Sequence, residues 1–230
     1  MLAIVFFAYR LFMWPRSKVF GYYPYQAKTR DRVLALSFDD GPNPPFTEQL
    51  LAVLAKHEVK ATFFIIGQNL EKFPETARAI VAAGHTLGNH AYNHNLSAYL
   101  KDLSLKAEII KTQDLIRKFT GKKPALFRSP WLIRSPKLFR ELKTLGLTPI
   151  SGIFGTQKEL YKPSAQLIYR DALRKIKPGR ILVFHDGFGL KTADRSRLPL
   201  AIDRLLGDLK ARGYSFLTVD SLLGLKPYQD

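Results

Sequence analysis

The sequence predicts an α/β fold in which short parallel strands alternate with helices, and three observations carry that expectation. About seven short apolar runs, each closed by glycine, proline or a polar residue, recur along the chain. Between them, apolar residues return every three or four positions, the helical period. The run from Val33 stops abruptly at two adjacent carboxylates, Asp39 and Asp40, followed by Gly41-Pro42. Continuous apolar runs of this kind suit strands covered on both faces, as in a barrel or a doubly wound sheet.

In order, Val33 to Asp39 is the first strand, and Phe46 to Lys56 a helix with Leu50, Leu51 and Leu54 on one stripe. Ala61 to Ile66 is a second strand. Leu70 to Ala83 reads as one helix ended by Gly84. Thr86 to Asn89 is a strand leading to His90. Leu103 to Phe119 is the clearest amphipathic helix, with Gly121 just past its end. Ala125 to Arg128 is a strand, and Ser135-Pro136 supplies an N-cap and a first-turn proline for a helix to Gly146. Leu147 to Ile153 is a strand, Ser164 to Ile176 a helix, Arg180 to Phe184 a strand ending at His185, Leu198 to Arg212 a helix, and Tyr214 to Val219 a last strand.

The 230 residues are 46% hydrophobic and 24% charged, a globular composition. No repeat, low-complexity tract or linker interrupts them, so a single domain is expected over residues 31–230, after a hydrophobic and basic segment at 1–30. With no cysteine, disulfides and thiolate metal sites are excluded, and any metal must rest on histidine and carboxylate. A formal net charge of +17 predicts attraction to polyanions such as an acidic cell-wall polymer or an anionic membrane surface, or simply a solvated basic surface. Specific nucleic-acid binding is not expected, because Lys and Arg scatter over helix faces and no recognition motif is present.

Met1 to Trp14 is apolar except for Arg10, shorter than the roughly 20 residues that span a bilayer, and without the features of a complete signal peptide. It reads as a short anchor, an interfacial helix or a segment packed on the domain. Phe6, Phe7, Tyr9, Phe12 and Trp14 beside basic residues favour membrane association.

In both parallel architectures ligands gather at the C-terminal ends of the strands. Asp39, Asp40, His90, Arg128 and His185 all fall there. Asp-Asp-Gly-Pro alone also suits a plain surface turn. His90 and His94, four residues apart, would share one face if the stretch turned helical, and with Asp40 they make a His, His, Asp set with room for water. His57, in a surface helix, and His85, beside a glycine turn, take structural readings.

Ser37 to Pro42 (SFDDGP), Gly88 to His94 (GNHAYNH), Arg128 to Trp131 (RSPW) and Leu182 to Asp186 (LVFHD) resemble the ordered motifs of the polysaccharide deacetylases, the NodB-homology group or carbohydrate esterase family four. The resemblance covers about Val33 to Leu223. It implies a distorted (β/α)7-8 barrel in a single domain. It further implies a hydrolase that removes acetyl groups from an N-acetylated glycan with one divalent metal, zinc first, with cobalt, manganese or nickel as alternatives. Asp40, His90 and His94 would hold the metal, Asp39 would be the general base oriented by Arg128, and His185 the general acid. Trp131 would form a groove wall and offer its backbone N–H to the oxyanion, with Pro130 beside it, and Val183 would help to form the pocket for the acetyl methyl.

These residue types suit the reaction. An amide carbonyl is a poor electrophile and an amine a poor leaving group, so a metal, a base and an imidazole each answer one difficulty. The expected substrate is a cell-wall glycan, a chitin-like oligosaccharide or a lipid-linked amino sugar. The expected location is the cell envelope, membrane-associated or exported, with the cytoplasm as the alternative. The second reading is a carbohydrate-binding protein on the same fold with impaired catalysis.

The chain departs from the family pattern twice. The region Ile150 to Glu159 lacks the aspartate that supports the catalytic histidine, leaving Ser151, Thr156 or Glu159 as substitutes. Leu132 stands where many relatives carry glycine.

Overall fold

The structure is a computed structural model, and it describes residues 2–95, 105–158, 161–189 and 193–230. Among these residues eight strands form one sheet in which every ladder is parallel. They are β1 (Val33–Asp39), β2 (Thr62–Ile65), β3 (Thr86–Asn89), β4 (Leu126–Phe127), β5 (Thr148–Pro149), β6 (Ile153–Phe154), β7 (Ile181–His185) and β8 (Ser215–Leu217). The order β5-β4-β3-β2-β1-β7-β6 sets β1 between β2 and β7, and β8 pairs with the first three residues of β1. The expected distorted barrel is present as a half-barrel whose ends, β5 and β6, no described ladder joins.

The helices are α1 (Leu2–Phe12), α2 (Phe46–Lys56), α3 (Gly67–Lys72), α4 (Pro74–Ala82), α5 (Leu105–Thr120), α6 (Pro136–Thr144), α7 (Ala165–Leu173), α8 (Arg197–Ala211) and α9 (Val219–Leu223). The single helix expected over Leu70 to Ala83 is two, broken at Phe73. Pro74 pushes the residue before it out of the helical region, and Phe73 has ψ 60. The strand expected at Leu147 to Ile153 is likewise the two short pieces β5 and β6. Pro149 has no N–H to donate, and Gly152 lies so close to β7 that a Cβ there would meet Val183 Cγ2 at 2.3 Å. Leu103, expected to start α5, lies outside the described residues, whereas Ser135 and Ser164 cap α6 and α7 as their sequence signals predict.

Successive residues of β1 serve different cores. Leu34, Leu36 and Phe38 join the large cluster between sheet and helices, with Leu50, Leu54, Phe63, Phe184 and Leu206. Ala35 belongs to the inner cluster with Phe64, Leu126, Ile150 and Ile181. The strand's period of two therefore puts Ser37 and Asp39 inside the barrel with Ala35. Phe38 sits between Phe63 and Phe184 of the adjacent strands, ring centroids 5.1 and 6.0 Å away, and burying each such ring stabilises the fold by about 1.5–3 kcal/mol. That aromatic row locks the register one step below the carboxylates, since slipping a strand by one residue would turn Phe38 inward and Asp39 into the outer core.

The chain before β1 is bound to this domain. Arg134, fully buried, donates from its backbone N–H to Phe12 O and from its guanidinium to the carbonyls of Trp14 and Pro15. Tyr23 is buried with its hydroxyl accepting from Ser129 N, and Ala27 N donates to Gly179 O. No described helix is long and apolar enough to cross a membrane. Phe6, Phe7 and Phe12 of α1 are exposed.

Away from the strand ends, His85 is buried and its Nδ1 accepts from Ala61 N at 3.1 Å. Burial first, and then the charge of Lys60, push its pKa down to about 4. The unfolded chain thus takes up this proton near pH 6.5 while the folded one resists it to about 4, so this group's contribution to stability is present above 6.5 and is lost as pH falls between the two. Replacing His85 with Asn, whose Oδ1 can take the same bond, should flatten the parent's pH dependence by about 1 kcal/mol per pH unit between pH 4 and 6.5. Urea melts of both proteins across that range check this, and parallel pH profiles would refute it.

Candidate active site

One row across the sheet gathers the candidate residues. Asp39 pairs with His185 on one side and with Phe64 on the other, Ile65 pairs with Asn89, and Asn89 with Phe127. Asp40, His90 and Arg128 follow the last residues of β1, β3 and β4 respectively, so side chains from four separate segments meet at one rim.

Asp39 continues the inward face of β1 and meets Arg128, whose Nη1 donates to Asp39 Oδ1 at 2.6 Å and to Ser37 Oγ at 2.8 Å. Arg128 is fully buried. Its Nη2 donates to Ser151 O at 3.1 Å, and its guanidinium lies over the Phe64 ring at 4.0 Å. Phe64 has room for that contact because β3 carries Gly88 opposite it, where a Cβ would strike the ring at 2.6 Å.

Asp40 leaves the strand with φ 75, a left-handed conformation that breaks the alternation and brings the second carboxylate to the same rim. Its carbonyl accepts from Asn69 Nδ2 at 2.8 Å and its Oδ2 from Gly189 N at 2.9 Å. The β7 loop comes so close that a Cβ on Gly187 would lie 2.4 Å from Asp40 O, which only glycine permits. Asp40 Oδ1, by contrast, is buried without a hydrogen bond, while Nε2 of His90 and of His94 each stand 3.3 Å from it.

That orphaned oxygen tests the metal expectation. Ligand atoms about 2.1 Å from one tetrahedral ion lie about 3.4 Å from one another, close to the observed spacing, and all three ligand atoms lie within 4.8 Å of each other. His90 Nδ1 is 2.8 Å from Arg128 O, a bond only an Nδ1–H can make, so the tautomer leaves Nε2 free to ligate. Burial pushes the His94 pKa down to about 4, keeping that ring neutral. Burial alone would raise the Asp40 pKa, but the imidazoles of His90, His94 and His185 around it outweigh burial and hold the carboxyl well below its usual range. The three residues fit a divalent cation. The helical turn expected to align the two histidines does not form. Residues 90–94 make an irregular turn with Ala91 at φ 62 and His94 at φ 51, and the imidazoles converge through it.

A groove of about 920 Å³ opens above this cluster, lined by Asp39, Asp40, His90, His94, Trp131 and His185 among others. Trp131 is 37% exposed and Phe188 39%, two rings at the mouth, and Trp131 packs on His94 with centroids 4.2 Å apart. Pro130 and Val183 do not line it, contrary to expectation. Pro130 is buried in the turn that carries Trp131, and Val183 lies one layer below His185, paired with Ser37. Leu132 and Phe154 take their place as apolar lining. Leu132 has φ 57 directly after Trp131 at φ 52, which explains in backbone terms why glycine suits the position.

Of the substitutes proposed for the missing aspartate, Ser151 Oγ donates to Pro15 O and Thr156 Oγ1 to Asp171 Oδ2, while Glu159 lies outside the described residues. Phe154 of the same stretch stacks on His185 at 5.9 Å and 12°. His57 and His85 are structural as expected, His57 pairing with Asp203 at 2.6 Å. Sequence reasoning missed Ser37 and Asn69, which orient Asp39's partner and the Asp40 loop, because neither a buried serine nor a helix asparagine carries a distinguishing pattern. It also missed Asp186, buried beneath the rim, where burial pushes its pKa up to about 7 against the hydrogen bond from Thr47.

A model of the family described as polysaccharide deacetylase matches residues 26–150. The chain belongs to the polysaccharide deacetylase family. It is 31% identical over 207 residues to a peptidoglycan-N-acetylglucosamine deacetylase of Bacillus cereus, covering 90% of this chain and 95% of that one. It is 30% identical to the peptidoglycan-N-acetylmuramic acid deacetylase PdaC of Bacillus subtilis over 86% of this chain and 40% of that longer one. Among solved structures, a family 4 acetyl xylan esterase from Clostridium thermocellum in complex with a cobalt ion matches with a TM-score of 0.74 at 30% identity, over 85% of this chain and 94% of that one. The polysaccharide deacetylase motifs are thus the segments that meet at the rim.

Arg128 provides a test that needs no substrate. Arg128→Leu leaves Asp39 buried without its cation and should cost about 3–5 kcal/mol at pH 7, partly recovered by adding Asp39→Asn. Urea denaturation of the single and double variants measures this, and additive losses would show that the two side chains do not depend on each other.

Proposed function

We propose that the protein is a metal-dependent hydrolase that removes N-acetyl groups from the glycan of the bacterial cell wall, peptidoglycan foremost. The observation that carries this reading is the buried Asp40 oxygen facing two imidazole nitrogens, with an Arg-paired carboxylate and a further imidazole lining the same groove. The curated relatives, named as peptidoglycan deacetylases, support the substrate class.

Asp40, His90 and His94 would hold the ion. Two nitrogens and one oxygen from protein, with positions left open, favour zinc, with cobalt, manganese or nickel as alternatives. The chemistry such an ion supplies when bound is Lewis acidity, which polarises an amide carbonyl and lowers the pKa of a water. Asp39, oriented by Arg128, takes the proton of the attacking water as general base. His185 protonates the departing amine, without which the carbon–nitrogen bond would not break forward. The backbone N–H of Trp131 stabilises the oxyanion, and the rings of Trp131 and Phe188 stack on sugar faces at the mouth. Phe154 stacks on His185 and helps to keep the plane of its ring. A protein that only bound glycan would have no use for base and acid together.

The substrate places the protein in the cell envelope, exported or at the membrane. The exposed Phe6, Phe7 and Phe12 beside Arg10 suit an interfacial helix, held to the domain through Arg134. Removing residues 1–11 should shift the protein from the membrane to the soluble fraction, and unchanged partitioning would remove the membrane role.

Asp39→Asn should reduce acetate release from N-acetylglucosamine oligomers by about 10²–10⁴-fold while metal content by elemental analysis stays at one ion, and Asp40→Asn should lose the ion itself. An active Asp39 variant would remove the base, and full metal in the Asp40 variant would remove the ligand.

A further inference from the structure

The turn that carries Trp131 is held in a backbone form that its residues do not favour. Trp131 and Leu132 stand in the left-handed region at φ 52 and 57, consecutive and neither of them glycine. Conformations of this kind are costly and persist only where the surroundings over-determine them. Two bonds close the turn from within, Leu132 N to Ser129 O at 2.9 Å and Ile133 N to Pro130 O at 3.1 Å. Its two ends are held from outside, and by the same stretch of chain.

At the leading end, Ser129 is fully buried and its backbone N–H donates to the Tyr23 hydroxyl at 2.9 Å. At the trailing end stands Arg134, also fully buried. Its backbone N–H donates to Phe12 O at 2.9 Å, and its guanidinium donates to Trp14 O, to Pro15 O at 3.1 Å and to Ser151 Oγ at 3.2 Å. The two ends meet each other, since that guanidinium lies 4.4 Å from the centre of the Tyr23 ring. Ser151 completes the circuit. Its Oγ donates to Pro15 O and its N–H to Pro24 O, both at 2.8 Å, while its carbonyl accepts from Arg128. Among the described residues no carboxylate pairs with Arg134, so this buried charge is answered by the carbonyls of the segment before β1 and by one hydroxyl. A charge buried without an acid is a poor device for stability alone. A rigid planar fork that fixes several carbonyls at once is a good one for placing a loop.

We propose that Phe12 to Pro24 is a strap that sets the Trp131 turn, with Arg134 and Tyr23 as the positioning residues that fix where the Trp131 N–H points in the groove. Neither side chain lines that groove. The inference rests on the reading of this N–H as the oxyanion donor and extends it to residues that touch no substrate. The segment before β1 is thereby a working part of the catalytic domain.

The fluorescence of Trp131 tests this without turnover. The chain has two tryptophans, so Trp14→Phe leaves Trp131 as the sole indole and keeps the Trp14 carbonyl that Arg134 uses. In that background, acrylamide quenching of the folded protein reads the mobility of the turn. Arg134→Gln should raise the quenching constant by roughly twofold, and Tyr23→Phe by less. Leu54→Ala, which opens a cavity in the outer core, should lower the urea midpoint and leave the quenching of Trp131 unchanged. With N-acetylglucosamine oligomers, Arg134→Gln should lose turnover on the order of 10²-fold, most of it in kcat and with one ion still bound. Should Arg134→Gln not fold, Tyr23→Phe, which removes a single oxygen, decides by the same readouts. Parental quenching in the strap variants, or an equal rise in Leu54→Ala, overturns the proposal. So does raised quenching with unchanged turnover, since the turn would then move at no cost to the reaction. Absence of acetate release from the parent would sink the deacetylase reading, and the quenching result would still decide whether the strap sets the turn.

Discussion

An ionised carboxylate taken out of water costs several kcal/mol unless neighbouring charge or hydrogen bonds answer it, and β1 ends in two of them, both only 3% exposed. The two are answered differently. Asp39 is met by a buried arginine held from four directions, an arrangement that fixes one oxygen and is complete in itself. Asp40 is met by a backbone N–H on one oxygen and by two imidazoles on the other, at a spacing that completes no hydrogen bond. One carboxylate is satisfied by the protein and the other awaits a cation. The division of labour between base and ligand follows from that asymmetry, and it originates in the single left-handed residue that turns the chain after Asp39.

Much of this was legible in the sequence because it rests on short-range pattern. The apolar run into Asp39, the serine-proline start of α6 and the stripe of α5 are local signals that tertiary packing reinforces. The rim residues were legible as well, since strands of a parallel sheet deliver their last residues to one edge and the four motifs mark those ends. The errors have equally local causes. Pro74 splits a helical pattern that is otherwise continuous, and Pro149 with Gly152 interrupts a strand whose apolar content reads as unbroken. His90 and His94 show the helical spacing without the helix, because the turn that unites them depends on Ala91 and His94 adopting left-handed conformations that no residue type there announces. Val183 was placed in the pocket by the family resemblance, and the structure sets it one layer below His185, paired with Ser37.

The two departures from the family pattern acquire physical content. Leu132 tolerates a glycine conformation because its side chain is buried against the groove floor, so apolar contact offsets backbone strain. Ser151, standing in the region of the missing aspartate, instead joins Arg134 in holding the carbonyl of Pro15. The chain has thus turned that stretch toward the segment before β1, and the loop that carries Trp131 is braced by the same arginine. From the same stretch Phe154 stacks on His185 at the rim.

The claim on which the rest depends is that Asp40, His90 and His94 grip one divalent ion. Anomalous diffraction from crystals grown with zinc tests it directly. A single peak about 2.0–2.2 Å from Asp40 Oδ1 and from Nε2 of both histidines is the expected result. A zinc-loaded crystal with no peak there, or with the ion on other side chains, would contradict it.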